Sequence, residues 1–182
     1  MISVRLVGHE NFYGVGDVLR VFGATISEDK EESIVRGKLG IGDDIEIVSA
    51  YEDGKVRTSV KNKDIDILGD EFSSKLDYKR ETKRQLYLAL SSLLGKELPW
   101  GSLTGIRPTL VAKQCGFDSQ LLQEKFFVRQ DKARLAVETS LAETRILETV
   151  SKDKLNVYVG VPFCPSRCAY CQFIAIDAVN HL

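Results

Sequence analysis

With 182 residues, 43% of them hydrophobic, the chain can bury one large core or two small ones. Lys+Arg 25 against Asp+Glu 26 leave a net charge of -1, which argues against a polyanion-binding protein or an acidic tail. Four cysteines do not make a secreted disulfide scaffold. No apolar run approaches the roughly 18 residues of a transmembrane helix, and the start, Met1-Ile-Ser-Val-Arg-Leu-Val, lacks a basic leader followed by an apolar stretch.

Ile2, Val4 and Leu6 alternate with Ser3, Arg5 and Val7, which predicts a first strand broken by Gly8. Phe12, Val15, Leu19 and Phe22 recur at helical spacing, and Gly23 can close that helix. Gly14 and Gly16 weaken the helix. They also form a Gly-x-Gly, but Leu19 fills the third glycine position of a dinucleotide loop and no acidic ribose partner is evident.

Residues 33–68 read as a small antiparallel meander. Its strands are Ile34–Leu39, one through Ile45, Ile47 and Ser49, Lys55–Lys61, and Asp64–Leu68. Asp53-Gly54 is a two-residue hairpin signal, because both positions tolerate positive φ. The expectation is a β-α-β-β-β domain over 1–72. Its basic residues alternate with acids and lack aromatic neighbours, so a solvated sheet face is expected rather than a nucleic-acid surface.

The composition shifts after Asp70, and 73–152 read as all-helical. A long helix is predicted from Asp77 to Leu94, with Leu86, Leu90, Leu93 and Leu94 as its apolar stripe and Gly95 as its cap. Lys79, Arg80, Lys83 and Arg84 read as a solvated face, with an anion or partner contact as the other reading. Pro99–Pro108 is punctuation: either a rigid turn docking the helices on their neighbour, or a site where Arg107 contacts an anion and Trp100 offers a stacking surface. A short helix over Pro108–Gln114 precedes Cys115, read as a small apolar side chain. Leu121, Leu122, Phe126 and Phe127 mark the next helix. Leu135, Val137, Leu141, Ile146, Leu147 and Val150 are expected to anchor the last, near 131–151.

After the polar link Ser151–Lys154, Leu155–Val161 is apolar and β-branched, as a strand buried on both faces should be. Pro162 stops it, and three cysteines follow, Cys164, Cys168 and Cys171, in the spacing Cys-x3-Cys-x2-Cys. Thiolates are soft ligands suited to iron–sulfur clusters or zinc. Three of them leave one corner of a four-iron cube open to a ligand that is not protein. A structural zinc site would want a fourth protein ligand nearby, and the next histidine is His181. Clustered thiols of this kind point to a reducing, cytoplasmic setting.

This motif resembles that of the radical S-adenosylmethionine (SAM) enzymes, and Val157-Tyr-Val-Gly-Val-Pro-Phe-Cys resembles their oxygen-independent coproporphyrinogen III oxidase branch, the coproporphyrinogen dehydrogenase group in particular. Trp100-Gly-Ser-Leu-Thr-Gly-Ile-Arg-Pro-Thr109 shares the resemblance. It implies a [4Fe-4S] cluster on Cys164, Cys168 and Cys171, with SAM on the open iron, Tyr170 near the adenine and Tyr158 against SAM. It also implies an α/β fold in which 153–182 hold the first strand and cluster loop of a (β/α) barrel, truncated here because such a barrel takes about 250 residues. The implied activity is oxidative decarboxylation of coproporphyrinogen III to protoporphyrinogen IX, with a tetrapyrrole substrate and an electron donor as partners. The sequence departs from that oxidase at two places: Gly160 stands where it has histidine, and Gln172-Phe173 where it has a further cysteine. The same family contains haem-binding chaperones, which is the alternative reading. A non-enzymatic zinc or interaction module is a third.

Overall fold

A computed structural model describes residues 1–39, 44–69, 74–151, 153, 155, 157–164 and 176–177. The described chain forms two compact units, Met1–Arg145 and Ile146–Leu182.

The first unit is mixed α/β. Six strands form one sheet: β1 (Ile2–Val7), β2 (Thr25–Asp29), β3 (Ile34–Lys38), β4 (Ile45–Glu52), β5 (Lys55–Val60) and β6 (Asp66–Leu68), in the order β2-β3-β1-β4-β5-β6. Helix α1 (Phe12–Val21) follows β1. The five strands named from the sequence, summarised there as β-α-β-β-β, are therefore corrected to six strands with one helix. The strand missed by the pattern, β2, reads Thr-Ile-Ser-Glu-Asp and lies at the sheet edge. An edge strand has only one paired side, and charges there discourage further pairing, so it carries little apolar alternation.

The meander expectation is also corrected. β1 inserts between β3 and β4, antiparallel to the first and parallel to the second, with Val4 opposite both Val35 and Ile47. Such an insertion places the most apolar strand at the centre, where both edges are hydrogen-bonded. Ile2, Val4 and Leu6 are buried with Val35, Ile47 and Val60 beneath α1. The β4–β5 hairpin turns at Asp53 (φ 49°) and Gly54 (φ 76°), both left-handed, as a two-residue primed turn requires. Facing away from the helices, Arg36 pairs with Asp29 and Glu32, Lys61 with Glu46, and Arg57 with Asp66.

Helix α1 forms despite its glycines, because they are packing positions. A Cβ on Gly16 would lie 2.8 Å from Ile26 Cδ1, so the missing side chain lets α1 sit close on β2. Gly23 (φ 97°) then ends the segment.

Helix α2 spans Lys75–Leu94. Ser74 Oγ accepts from the Asp77 N–H at the start, and Gly95 closes the end in the left-handed conformation. Its Leu86, Tyr87, Ala89 and Leu90 join the core of the sheet. Buried Gln85 donates from Nε2 to the Val56 carbonyl on β5 (2.8 Å) and to Glu81 Oε1 (2.9 Å).

Three shorter helical elements complete the unit: α3 (Pro108–Gln114), α4 (Ser119–Phe126) and α5 (Gln130–Glu148). Their core contains Val111, Ala112, Leu122, Val128, Ala133 and Ala136, with Trp100, Leu103, Ile106 and Cys115 packed against it. Burial raises the Cys115 thiol above its ordinary value, consistent with a small apolar side chain. The expected apolar face of α5 is corrected: Ala133, Ala136 and Ser140 are buried, whereas Leu135, Ile146 and Leu147 are exposed. Small residues at this spacing let α5 approach closely enough for Ser140 Oγ to donate to the Thr109 carbonyl (2.9 Å).

In the second unit the expected strand over Leu155–Val161 is not formed among the described residues. Leu155 is 88% exposed, and Val157, Val159 and Val161 are exposed as well. An apolar parallel strand depends on neighbours along both edges and layers over both faces, and the described residues offer neither. The strand bonds are instead two residues later, where β7 (Phe163–Cys164) pairs in parallel with β8 (Ile176–Asp177). No described helix is long and apolar enough to cross a membrane.

Candidate functional site

The expected ligand set begins at β7. Phe163 lies opposite Ile176, and Cys164 opposite Asp177. Cys164 is a free, half-buried thiol at the C-terminal end of that strand. The segment joining β7 to β8 carries Cys168, Tyr170 and Cys171, which lie outside the described residues. Among the described residues, no group of three or more His, Cys, Asp or Glu side chains is placed to hold a metal ion. The one described member of the set fits a soft metal: an unpaired thiol, not committed to a disulfide.

Tyr158 is 88% exposed, and its ring folds back over Gly160. A Cβ at position 160 would stand 3.1 Å from Tyr158 Cε1 and 3.7 Å from its Cζ and Oη. The ring is the far end of an exposed side chain, so it could swing away from a larger residue at position 160 at little cost.

The segment Trp100–Pro108 lies in the first unit and is well ordered by its neighbours. Gly101 (φ 54°) is pressed against α4: a Cβ there would fall 2.0 Å from the Phe126 carbonyl oxygen. Ser102 donates to that same oxygen from its N–H (2.8 Å) and from Oγ (3.2 Å). Lys132 Nζ lies 5.8 Å from the centre of the Trp100 ring, whose apolar body packs in the α3–α5 core. Arg107 is exposed at the N-terminus of α3. Docking by a rigid turn is therefore what this segment visibly does.

Sequence reasoning missed the ties that hold it. Lys83, read as part of a solvated face, donates to Asp17 Oδ2 on α1 (3.1 Å) and to the Thr104 carbonyl (2.8 Å). Both charged side chains are largely buried. Arg84 pairs with Glu81 (3.1 Å) and stacks on Phe127, and Arg80 bonds Gln114 Oε1 (2.5 Å). A signal was present, because a lone Asp17 among the apolar and glycine positions of α1 needs a partner if it is covered. His9 was also passed over. Its Nδ1 accepts from the Asn11 N–H (3.3 Å), which leaves Nε2–H to donate to the Ser49 carbonyl (3.1 Å). Burial holds its pKa below the ordinary histidine value, against the raising effect of the Ser49 bond.

With this geometry in view, the chain can be compared with known proteins. It is similar to HemZ. Over 136 residues it is 33% identical to the oxygen-independent coproporphyrinogen-III oxidase-like protein HemZ of Bacillus subtilis (strain 168), a match that takes in 67% of this chain. The match takes in 27% of HemZ, so the chain spans about a quarter of the length of that relative. No protein-family model matches the chain, and no solved structure matches it.

Proposed function

We propose that this chain belongs to a radical SAM oxidoreductase of the coproporphyrinogen III oxidase-like kind, and that Cys164, Cys168 and Cys171 hold its [4Fe-4S] cluster. The observation that carries the reading is the Cys-x3-Cys-x2-Cys spacing at the end of β7. The likeness to HemZ supports it. When bound, the cluster supplies a low-potential electron to the sulfonium of SAM. The chain's own contributions are positional. β7 presents Cys164 at a strand end, and the exposed Tyr158 offers an aromatic face for SAM. Tyr170 is assigned to the adenine. A tetrapyrrole is the proposed substrate, with decarboxylation of its propionates the proposed outcome and a separate electron donor the proposed partner.

Two departures favour a second reading within the same family. Gly160 in place of histidine, and Gln172-Phe173 in place of a further cysteine, depart from the oxidase pattern and suit a haem-binding chaperone.

Anaerobic reconstitution of the full-length protein with iron and sulfide tests the proposal. The expected result is about four irons per chain, as the four-iron cube requires, and an EPR signal of the reduced protein that shifts with SAM. Cys168→Ala should abolish both. Failure to bind iron, or stoichiometric zinc in its place, overturns it. Given a cluster, haem transfer without SAM turnover would select the chaperone.

A further inference from the structure

The corner between β1 and α1, residues 8–11, is held by one imidazole. Helix α1 starts at Asn11 without the common closures of a helix start. The Asn11 side chain makes no capping bond, and no acid stands in the first turn. A capping box is closed off as well. It needs Glu or Gln three residues after the N-cap, to accept from the N-cap N–H. That position is Gly14, where a Cβ would lie 2.6 Å from Nδ2 and Oδ1 of Asn11. His9 supplies the missing acceptor, because its Nδ1 takes the Asn11 N–H (3.3 Å). The same ring reaches β4 with Nε2, which lies 3.1 Å from both the carbonyl oxygen and Oγ of Ser49. One neutral ring thus ties the start of α1 to the centre of the sheet.

The ring is held in place from two sides. Gly8 (φ 69°) brings the preceding backbone onto β4, where a Cβ would fall 2.2 Å from the Tyr51 carbonyl oxygen. Tyr78 of α2 stands edge-on to the imidazole at 6.1 Å, and Tyr51 of β4 packs on Tyr78 at 5.1 Å. The titratable groups around His9 are these two phenols and Glu10, the next residue in the chain. Among the described residues no carboxylate pairs with the ring, and burial favours its neutral form. In the imidazolium both nitrogens are donors. A proton on Nδ1 would therefore point at the Asn11 N–H, and the new positive charge would stand beside the N-terminus of α1, where the helix dipole opposes it.

We propose that His9 is an acid-released latch on the start of α1. Neutral, it joins the Asn11 N–H to Ser49. Protonated, it frees the corner and the first turn of α1, whose Val15 N–H bonds the Asn11 carbonyl (3.0 Å), while the sheet and α2 stay folded. The latch lies within the first unit and uses nothing from the cysteine loop.

Amide exchange read by NMR on the ¹⁵N-labelled protein, across the histidine range of about pH 5–8, tests it. After correction for the intrinsic rate at each pH, Asn11 and Val15 should exchange about tenfold faster once His9 is protonated. That is the worth of one lost hydrogen bond together with an opposed helix dipole. Dilute urea should leave these two rates unchanged, as local opening requires, while Ile47 and Leu90 keep slower, urea-sensitive rates. His9→Gln, which gains no proton, should remove the pH step. The imidazole ¹⁵N shifts give a check that needs no variant: the neutral ring should carry its proton on Nε2. The proposal is overturned by absence of the step, by its survival in His9→Gln, or by a neutral ring protonated on Nδ1. It is equally overturned if Asn11 and Val15 share the rates and urea dependence of Ile47 and Leu90, since protonation would then unfold the whole unit.

Discussion

Replacing Gly101 with alanine should damage the first unit far more than the same change at Gly95, although both glycines are left-handed, with φ 54° and φ 59°. The shared term is conformational: a left-handed alanine costs about 1–2 kcal/mol. At Gly95 nothing lies within 4 Å of the added Cβ, so this term stands alone. At Gly101 the Cβ would fall 2.0 Å from Phe126 O and 2.5 Å from Phe127 C and O, all of them backbone atoms. Relief requires moving the loop off the end of α4. That movement strains or breaks the two bonds from Ser102 to the Phe126 carbonyl, each worth about 1 kcal/mol. The sum is about 3–4 kcal/mol for Gly101→Ala against about 1–2 for Gly95→Ala. The difference is about 2 kcal/mol, and at about 2–4 °C per kcal/mol for a chain of this size the melting temperatures should differ by roughly 4–8 °C. Urea unfolding followed by circular dichroism gives both values on one scale. Equal losses in the two variants would refute the reasoning, since the steric term would then be absent.

Lys83→Met should cost about 2–3 kcal/mol, somewhat below the loss for a fully buried pair because both partners keep some solvent. The double variant with Asp17→Asn should recover part of that loss in urea titrations, and strict additivity of the two changes would argue that the pair is not coupled. His9 makes stability depend on pH. Its folded pKa is lowered, so the unfolded chain binds more protons between the folded value and the unfolded value of about 6.5. The contribution is complete above pH 6.5 and is lost as pH falls through that window, and His9→Gln should flatten this part of the stability profile. A slope of the same size in the variant would assign it to other groups.

Much of the first unit was legible because its signals are local. Asp53-Gly54 specifies its own turn, Gly95 its own cap, and Ile2, Val4 and Leu6 their own buried face. Pro108 starts α3 where its missing N–H costs nothing. Relations between distant segments were not legible. Nothing in β1 states that it will lie between β3 and β4, and nothing in α5 states that alanines rather than leucines will face inward. Bulk favours burial only where a neighbour leaves space, and at α5 the close approach to Thr109 fully buries only the small side chains of Ala133, Ala136 and Ser140, with Val137 partly buried beside them.

The candidate sites divide along the same line. The three-cysteine spacing and its chemistry are properties of the sequence, because ligand type and loop length are written in consecutive residues. By contrast, the bonds from Lys83 to Asp17 and to the Thr104 carbonyl join residues that only the packing of α1, α2 and the docking loop brings together. The Leu155–Val161 stretch shows the reverse dependence. Its β-branched side chains select an extended conformation, but a parallel strand exists only where partner strands accept its hydrogen bonds, and that is decided by tertiary structure rather than by the stretch itself.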